Sequence, residues 1–265
     1  MQRVLVMGAS GNIGTTLLKQ LHGCGMVPVA ALRDGAARSK IPAGCEYRIC
    51  GYGNAKQAAS ALAETGGLFL LVPFHEEMVS WGEQLVAEAK RRRVDFIVRV
   101  SGLAAAPDCA SKMGALHGQI DQAVKESGID YCILRCNSFM QNFSGIYQKM
   151  IQRYRVISLP EADAQSCFID TADIAAVTAR IFSEPAKHVN QVYDLSGPKP
   201  LSNSKVAAII SDVTDNIVRY QPVSDEEAER SYRKMGISPW RIEVLTSLSR
   251  FIRAGNAGKA TETVT

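Results

Sequence analysis

The chain has 265 residues, of which 46% are hydrophobic and 21% charged, with a formal net charge of +4. This length and apolar content are enough for one large or two small folded domains. The weak positive charge suits a small anionic ligand and is well short of the basic surface of a nucleic-acid-binding protein. Seven cysteines without a C-x-x-C pair and four scattered histidines argue against a disulfide framework or a metal centre.

No stretch of the sequence resembles a targeting or membrane segment. The N-terminal apolar run is only four residues long and leads directly into glycines, unlike a signal peptide. No run approaches the roughly 18 apolar residues of a membrane-spanning helix. We therefore expect a cytoplasmic monomer or homodimer that binds a small-molecule substrate and neither a membrane nor nucleic acid.

The stretch RVLVMGASGNIG combines a strand-like run with a glycine turn. Residues 4–7 are all apolar, as is typical of a strand buried on both faces. Gly8, Gly11 and Gly14 follow, and the apolar residues of 15–21 then recur at helical spacing. A strand, a glycine turn and a helix in this order predict a dinucleotide site, in which the helix start holds a pyrophosphate. The alternative is a turn needed only for packing, and the spacing is GxxGxxG rather than GxGxxG.

The second predicted strand, Val27–Leu32, ends at a basic residue. In a dinucleotide fold an acid at this strand tip accepts from a 2′-hydroxyl, whereas an arginine accommodates a 2′-phosphate. Arg33 stands at the tip here, and Arg38 and Lys40 follow in a polar stretch. These residues favour NADP(H), although the neighbouring Asp34 is a feature that suits NAD(H).

Further apolar runs alternate with helical segments through the first half of the chain. The later predicted strands are residues 47–50, 68–72, 96–100, 131–135 and 191–195. This alternation predicts an α/β fold, a Rossmann-type parallel sheet flanked by helices, with a smaller helical C-terminal lobe. We expect residues 1–136 to form the NAD(P)-binding core. Residues 137–265 are expected to cover the substrate and to return to the core sheet near 155–195.

Ligands of such sheets bind outside the carboxyl ends of the strands. The residues expected to contact the cofactor at these ends are Leu71, Val72, Pro73, Ser101, Gly102 and Asn137. Aromatic and apolar side chains in the same loops are typical of a small-molecule pocket. Those expected to contact the substrate are Phe74, Leu103, Phe139, Met140 and Phe143. The alternative for the last three is ordinary packing at the start of the next helix.

A histidine lies on an otherwise apolar helix face. Met113, His117, Ile120 and Val124 recur at spacings of three and four residues, so a helix over about 111–127 puts them on one face. Most such histidines are satisfied core residues. This face is expected to meet the carboxyl edge of the sheet, however, and His117 is therefore also a candidate site residue.

The C-terminal part is predicted to be helical. Ser224 and Glu227 form a capping-box pattern for a helix over 225–234, and Ser238-Pro239 opens a last helix that runs through Arg253. Residues 256–265 are small and polar, and we expect a frayed tail there.

Several motifs in order identify a family. GASGNIG, LHGQIDQAVKESGIDYCILR, NSFMQNF, FIDTADIA and YDLSGPKPLS together resemble the NmrA-like branch of the atypical short-chain dehydrogenase/reductases. This resemblance implies a pyrophosphate loop made of Gly8, Ser10, Gly11, Asn12, Ile13 and Gly14. It also implies that Arg33 reads a 2′-phosphate.

The resemblance also marks a departure. The larger superfamily has a catalytic serine near Ser101, and a tyrosine four residues before a lysine on the next helix. In this chain those two places are held by Met113 and His117, so the tyrosine acid is missing. His117 resembles the basic residue that holds the cofactor ribose. Tyr52 stands where the family often has an acidic residue for the adenine amine.

The resemblance implies an NADPH-dependent reductase that transfers a hydride to a small organic electrophile. Without a tyrosine acid, an iminium, a quinone or a conjugated substrate is expected, with any proton supplied by His117, Ser101 or water. One alternative is a non-catalytic NADP(H)-binding redox sensor of the NmrA type. Another is a reductase-like scaffold that carries out a different reaction in a biosynthetic pathway.

Overall fold

The computed structural model describes residues 2–263. Its strands are β1 (Arg3–Val6), β2 (Val27–Leu32), β3 (Glu46–Ile49), β4 (Gly67–Leu70), β5 (Phe96–Gly102), β6 (Asp130–Cys136), β7 (Val156–Ile157), β8 (Gln165–Ser166), β9 (Gln191–Leu195), β10 (Leu201–Ser202) and β11 (Arg219–Tyr220). Seven of them form a parallel sheet in the order β3-β2-β1-β4-β5-β6-β9. The predicted Rossmann-type sheet is confirmed.

The helices lie between these strands and in the C-terminal part. They are α1 (Asn12–Gly23), α2 (Ala55–Ala61), α3 (Met78–Arg91), α4 (Lys112–Glu126), α5 (Gln148–Tyr154), α6 (Thr171–Ser183), α7 (Asn203–Thr214), α8 (Asp225–Lys234) and α9 (Pro239–Arg253). The predicted capping box of α8 is present. The sequence did not predict α2, and it gave no bounds for the helix after residue 143, which is α5. Both helices are seven residues long and carry little apolar periodicity.

Helices cover both faces of the large sheet, which explains its continuous apolar strands. On one face, Leu17 of α1 and Ile174 of α6 share an apolar cluster with the sheet. On the other face, Ala58, Leu85 and Ile120 bring α2, α3 and α4 into a second cluster. The strand order places the carboxyl ends of β2, β1, β4 and β5 side by side along one edge of the sheet.

The C-terminal lobe has a small core of its own. Two-stranded sheets, β7 with β11 and β8 with β10, surround an apolar cluster that includes Ile157, Phe168 and Val206. Helix α9 lies across α4, where Lys112 Nζ is 2.6 Å from Glu243 Oε2 and the Lys112 N–H donates to Ser247 Oγ at 3.0 Å. The lobe is thereby attached to the sheet-covering helices.

The expected frayed tail is wrong for residues 257–261. Ala257 is buried, and its carbonyl oxygen accepts hydrogen bonds from the Cys167 N–H and from Asn137 Nδ2. The Thr261 N–H donates to Ser196 Oγ at 2.7 Å. Backbone and side-chain hydrogen bonds therefore order a segment that has little apolar surface. Among residues 2–263, no helix is both long and apolar enough to cross a bilayer.

Candidate active site

The glycine turn joins β1 to α1 through close backbone contacts. Gly8 has a φ of +67°, in the left-handed region that favours glycine. A Cβ on Gly8 would lie 2.9 Å from Leu71 Cδ2. The Gly11 N–H donates to the Gly8 carbonyl at 3.0 Å, and a Cβ on Gly14 would lie 2.3 Å from that carbonyl oxygen. Helix α1 therefore packs against the turn at a distance that excludes any side chain at Gly14.

Gly11 faces outward and has different surroundings. A Cβ there would meet the Gly8 carbonyl oxygen at 3.3 Å and, chain neighbours aside, no other described atom within 4 Å. The first backbone N–H groups of any helix lack partners within the helix. At α1 no side chain caps them either, so they can donate to a ligand. Ser10 and Asn12 are exposed beside them, whereas Ile13 is buried. The turn is thus a cradle that fits an anionic group at the positive end of the helix dipole.

Arg33 follows β2 directly and extends into solvent, with its side chain 88% exposed. Its Nε lies 3.4 Å from Asp34 Oδ2. Asp34 Oδ1 accepts a hydrogen bond from the Ala36 N–H and so caps the short turn that follows. An ion pair this exposed is weak. Arg33 can therefore exchange it for a bound anion, while Asp34 is engaged with the backbone.

The segment after β4 lies between the glycine turn and the C-terminal lobe. The Tyr52 hydroxyl donates to the Leu71 carbonyl oxygen at 2.5 Å, and burial raises the pKa of Tyr52, so the hydroxyl keeps its proton. Tyr52 thus holds the start of the segment 71–73 through this hydrogen bond, and it supplies no carboxylate for an adenine amine. Phe74 packs against Trp240 of α9, with ring centroids 5.0 Å apart.

His117 lies at the carboxyl end of β5 and is held by an arginine. Its ring is partly buried, and its Cδ2 atom would lie 3.0 Å from a Cβ on Gly102. Its Nδ1 atom is 2.9 Å from a guanidinium nitrogen, Nη2, of Arg99. A guanidinium only donates hydrogen bonds, so Nδ1 must accept. In the neutral ring the proton is therefore on Nε2, which is left as a donor.

The protonation state of His117 follows from the same surroundings. Burial lowers the pKa of His117 to about 3, and the positive charge of Arg99 adds to this effect. The ring is therefore neutral over the physiological pH range. As an Nε2–H donor it can hold a ribose hydroxyl or a substrate oxygen, but it does not carry the extra proton of an imidazolium acid.

Arg99 belongs to a buried charged cluster, which we define as Arg99, Ser101, Asp121 and Arg135. Arg99 is fully buried, and Asp121 is 2% exposed. The Ser101 hydroxyl donates to Asp121 Oδ2 at 2.8 Å. The Nε atoms of Arg99 and Arg135 each lie 3.7 Å from an oxygen of this carboxylate. Burial raises the pKa of Asp121, while the two arginines and the Ser101 hydrogen bond oppose that rise.

Two predicted site residues have side chains that are engaged inside the protein. Ser101 is 3% exposed and its hydroxyl is bonded to Asp121. Asn137 is also 3% exposed, its Nδ2 donates to the Ala257 carbonyl, and its Oδ1 accepts from the Ser138 N–H. These bonds give both side chains a structural role. A proton-donating role for Ser101 and a cofactor contact by Asn137 stay predictions.

The predicted substrate residues are divided between the edge of the sheet and the lobe. Leu103 follows β5 and is partly buried, and its N–H donates to the Cys136 carbonyl. Met140 is 40% exposed, and Phe139 packs partly against the sheet core. Phe143 lies instead in the small lobe core, edge-on to Phe168 at 5.2 Å. This position fits the packing alternative for Phe143.

Sequence reasoning missed Arg99 and Asp121. The signal for Arg99 was available, because a single charge interrupts the run FIVRVSG of a strand buried on both faces. Asp121 stands four residues after His117 and therefore shares its helix face. The contact between these helix residues and a strand about 20 residues earlier depends on tertiary packing.

A family model described as the NmrA-like family matches residues 1–251. The chain belongs to this family. NmrA-like membership agrees with the resemblance in the sequence and with the fold described above.

Two curated relatives of this NmrA-like chain are named as an azoreductase and a quinone oxidoreductase. An NAD(P)H azoreductase from Xenophilus azovorans is 29% identical over 246 residues, covering 92% of this chain and 85% of the relative. Quinone oxidoreductase 2 from Escherichia coli is 26% identical over 257 residues, covering 91% and 85%.

Solved structures show the same fold. The NADPH complex of an Escherichia coli NADPH-dependent quinone oxidoreductase superposes with a TM-score of 0.86 at 22% identity, covering 99% of this chain and 93% of that one. The NADP(H) complex of Citrobacter sp. triphenylmethane reductase gives 0.83 at 19% identity, covering 100% and 94%.

Proposed function

We propose that this NmrA-like protein is an NADPH-dependent reductase that transfers a hydride to a small organic electrophile. The observation that carries the proposal is the order of groups along the carboxyl edge of the sheet. Arg33 follows β2, the glycine turn follows β1, residues 71–73 follow β4, and His117 lies against the end of β5. This order corresponds to the order of 2′-phosphate, pyrophosphate and nicotinamide ribose in NADPH.

The chain's own residues fit the parts of that cofactor. Arg33 is an exposed cation for the 2′-phosphate, and the uncapped start of α1 offers backbone N–H groups to the pyrophosphate. His117 offers a neutral Nε2–H to a ribose hydroxyl or to a substrate oxygen. When bound, the nicotinamide supplies the hydride, and the protein supplies position and electrostatics.

The proton donor limits the substrate class. Met113 stands where the superfamily has its tyrosine acid, and His117 stays neutral with its Nε2 proton needed for hydrogen bonding. Electrophiles whose reduced form takes its proton from water, or needs none, suit this site. We therefore propose quinone, azo, iminium or conjugated substrates that pack against Phe74, Leu103 and Met140. The names of the azoreductase and quinone oxidoreductase relatives support this choice.

The missing tyrosine also supports a second candidate, a redox sensor that binds NADP(H) without turnover. The cofactor cradle and Arg33 serve this function as well as they serve a reductase. The two candidates differ in whether hydride leaves the bound cofactor.

The test combines a binding titration with a turnover screen. NADPH and NADH are titrated against the purified protein, and anaerobic loss of NADPH absorbance is followed with quinones, azo dyes, iminium dyes and enones. We expect tight NADPH binding and steady turnover of at least one class, with Gly11→Val as the inactive control. Binding without turnover of any class would favour the sensor, and absence of NADPH binding would contradict both functions.

A further inference from the structure

We propose that Arg99 is a positioning residue for His117: it fixes the ring so that Nδ1 accepts and Nε2 presents its proton at the carboxyl edge of the sheet. This inference deepens the proposed function, since it concerns how the same site holds its donor. It concerns this chain's own residues and can be tested without cofactor.

The contact between the two side chains leaves little freedom. Arg99 is fully buried on β5, and its Nη2 lies 2.9 Å from His117 Nδ1. The other terminal nitrogen, Nη1, donates to the Val100 carbonyl oxygen. The guanidinium is planar, and one end is tied to its own strand, so the other end can only donate toward the histidine. A reversed ring, with a proton on Nδ1, would place two donors against each other.

The surrounding charges hold Arg99 in place. Asp121 on α4 lies 3.7 Å from Arg99 Nε, and its other oxygen accepts from the Ser101 hydroxyl. Arg135 on β6 approaches the same carboxylate. The other titratable groups that act on this cluster are Lys125 of α4, Cys136 of β6 and Tyr52 from the loop after β3.

Stabilisation of the fold alone would not require a buried pair of Arg99 and Asp121. Burying an ion pair is costly, and well-packed apolar residues of similar volume are often as stable or more so. Arg99 Nε and Asp121 Oδ1 make no hydrogen bond among the described residues, so the pair is not fully satisfied. The contact with Arg99 does give the Nε2–H donor of His117 a fixed direction, which an apolar core could not provide.

The experiment is ¹⁵N NMR of the His117 ring in the cofactor-free protein, with Arg99→Met and Arg135→Met compared with wild type. In wild type we expect a single tautomer with the proton on Nε2 and no titration between about pH 5 and 8, the range in which free histidine titrates. In Arg99→Met we expect mixed tautomers and a titration at a higher pH than in wild type, because the neighbouring positive charge is removed while the burial of the ring remains. Arg135→Met removes a charge from the same carboxylate without touching His117, so its tautomer should stay that of wild type.

Turnover gives a second readout for the same variants. With NADPH and an accepted electrophile, Arg99→Met should lower kcat by roughly 10- to 100-fold, the effect of a misplaced contact group. Any loss of rate at acid pH should begin at a higher pH than in wild type. The KM for the electrophile should change less than kcat. Arg135→Met should keep the pH profile of wild type.

Specific results would overturn the inference. A proton on Nδ1 in wild type would do so even if Arg99→Met failed to fold, and so would a ring in Arg99→Met that keeps the wild-type tautomer and pH behaviour. An equal change in Arg135→Met would also overturn it. Because the NMR measurement needs no cofactor, its result is separate from whether the protein turns over NADPH.

Discussion

The glycine turn follows β1, and the charged cluster joins β5 to α4 and β6, but the two regions consist of different groups. The turn consists of closely packed backbone, with no room for a side chain at Gly14, and it contains no charged side chain. The cluster consists of side chains, with a fully buried guanidinium beside a carboxylate that is 2% exposed. The turn offers backbone donors that need no side-chain adjustment, whereas the cluster places a positive charge beside the ring of His117.

This difference predicts separate effects for substitutions in the two regions. A change in the turn should remove cofactor binding, since binding uses backbone donors that cannot be replaced from elsewhere. A change at Arg99 of the cluster, or at His117 beside it, should leave binding largely in place and alter rate or pH dependence. The following predictions test this separation, from the largest expected effect to the smallest.

Gly11→Val should lower NADPH affinity by roughly 100-fold or more, because the side chain would displace several charge-assisted hydrogen bonds worth about 1.5–3 kcal/mol each. The fold should be retained, since a Cβ at Gly11 meets open space beyond one oxygen at 3.3 Å. Isothermal titration and thermal melting measure the two effects.

Gly14→Ala is the matched comparison within the turn. Its Cβ would lie 2.3 Å from the Gly8 carbonyl oxygen and 2.6 Å from Ala9 Cα, so we expect a loss of stability of ~1–3 kcal/mol. If Gly11→Val melted as early as Gly14→Ala, or bound NADPH as wild type does, the turn would be a packing element and not a cradle.

His117→Ala should reduce NADPH-dependent turnover by roughly 10- to 100-fold, the effect of one lost positioning contact. Because Arg99 would lose its acceptor, a stability cost of ~1–3 kcal/mol is also expected. Steady-state kinetics and chemical denaturation are measured on the same samples.

His117→Gln separates the contributions, because its amide can accept from Arg99 and still donate a hydrogen bond. A modest kinetic defect in His117→Gln would favour a positioning role. Full activity of His117→Ala together with a large loss of stability would show that His117 is a packed core residue, and would remove it from the site.

Arg33→Ala should weaken NADPH binding by roughly 10- to 100-fold, which corresponds to one or two charge-assisted contacts of about 1.5–3 kcal/mol. NADH binding should be almost unchanged, so the preference for NADPH should largely disappear. Arg153→Ala, which removes an exposed arginine from α5, is the charge-matched control. Equal affinity of wild type for both cofactors would contradict the role of Arg33.

The smallest effect concerns stability below neutral pH. The pKa of His117 is about 3 in the folded protein and has an ordinary value of 6.5. Between these values the unfolded chain binds a proton that the folded chain does not, so His117 lowers stability as the pH falls below about 6.5. As the pH falls from about 7 to 5.5, the free energy of unfolding of wild type should drop by ~1 kcal/mol more than that of His117→Gln. Above about pH 7 the two free energies should change with pH in parallel. Urea denaturation at several pH values measures it, and parallel pH curves for the two proteins would contradict it.

The two regions also differ in how far they can be predicted from sequence. The turn uses residues 4–21, so its strand, glycines and helix are adjacent in the chain and their pattern is readable. The pair Arg99 and His117 is 18 residues apart and joins a strand to a helix, and its hydrogen bond depends on how α4 lies on the sheet. Periodicity placed His117 on the correct helix face, but it gave no partner for its Nδ1.

The ordered segment at 257–261 could not be predicted for a related reason. Its stabilising partners are the Asn137 side chain, the Cys167 N–H and Ser196, all far away in sequence. From composition alone, a short stretch of small polar residues at the C-terminus is predicted to be a frayed tail. Only the position of the β6 and β9 ends shows that acceptors and donors are available there.

The long-range contacts of helix α9 bear on the order in which parts of the molecule fold. The contact between Phe74 and Trp240 joins residues more than 160 positions apart, and Lys112 with Glu243 spans 131 positions. The glycine turn, in contrast, is made from neighbours and Leu71. Loop closure disfavours distant contacts during folding. The glycine turn can therefore form before α9 packs against Phe74. In a growing chain, the anion cradle would then be formed while the substrate side is still open.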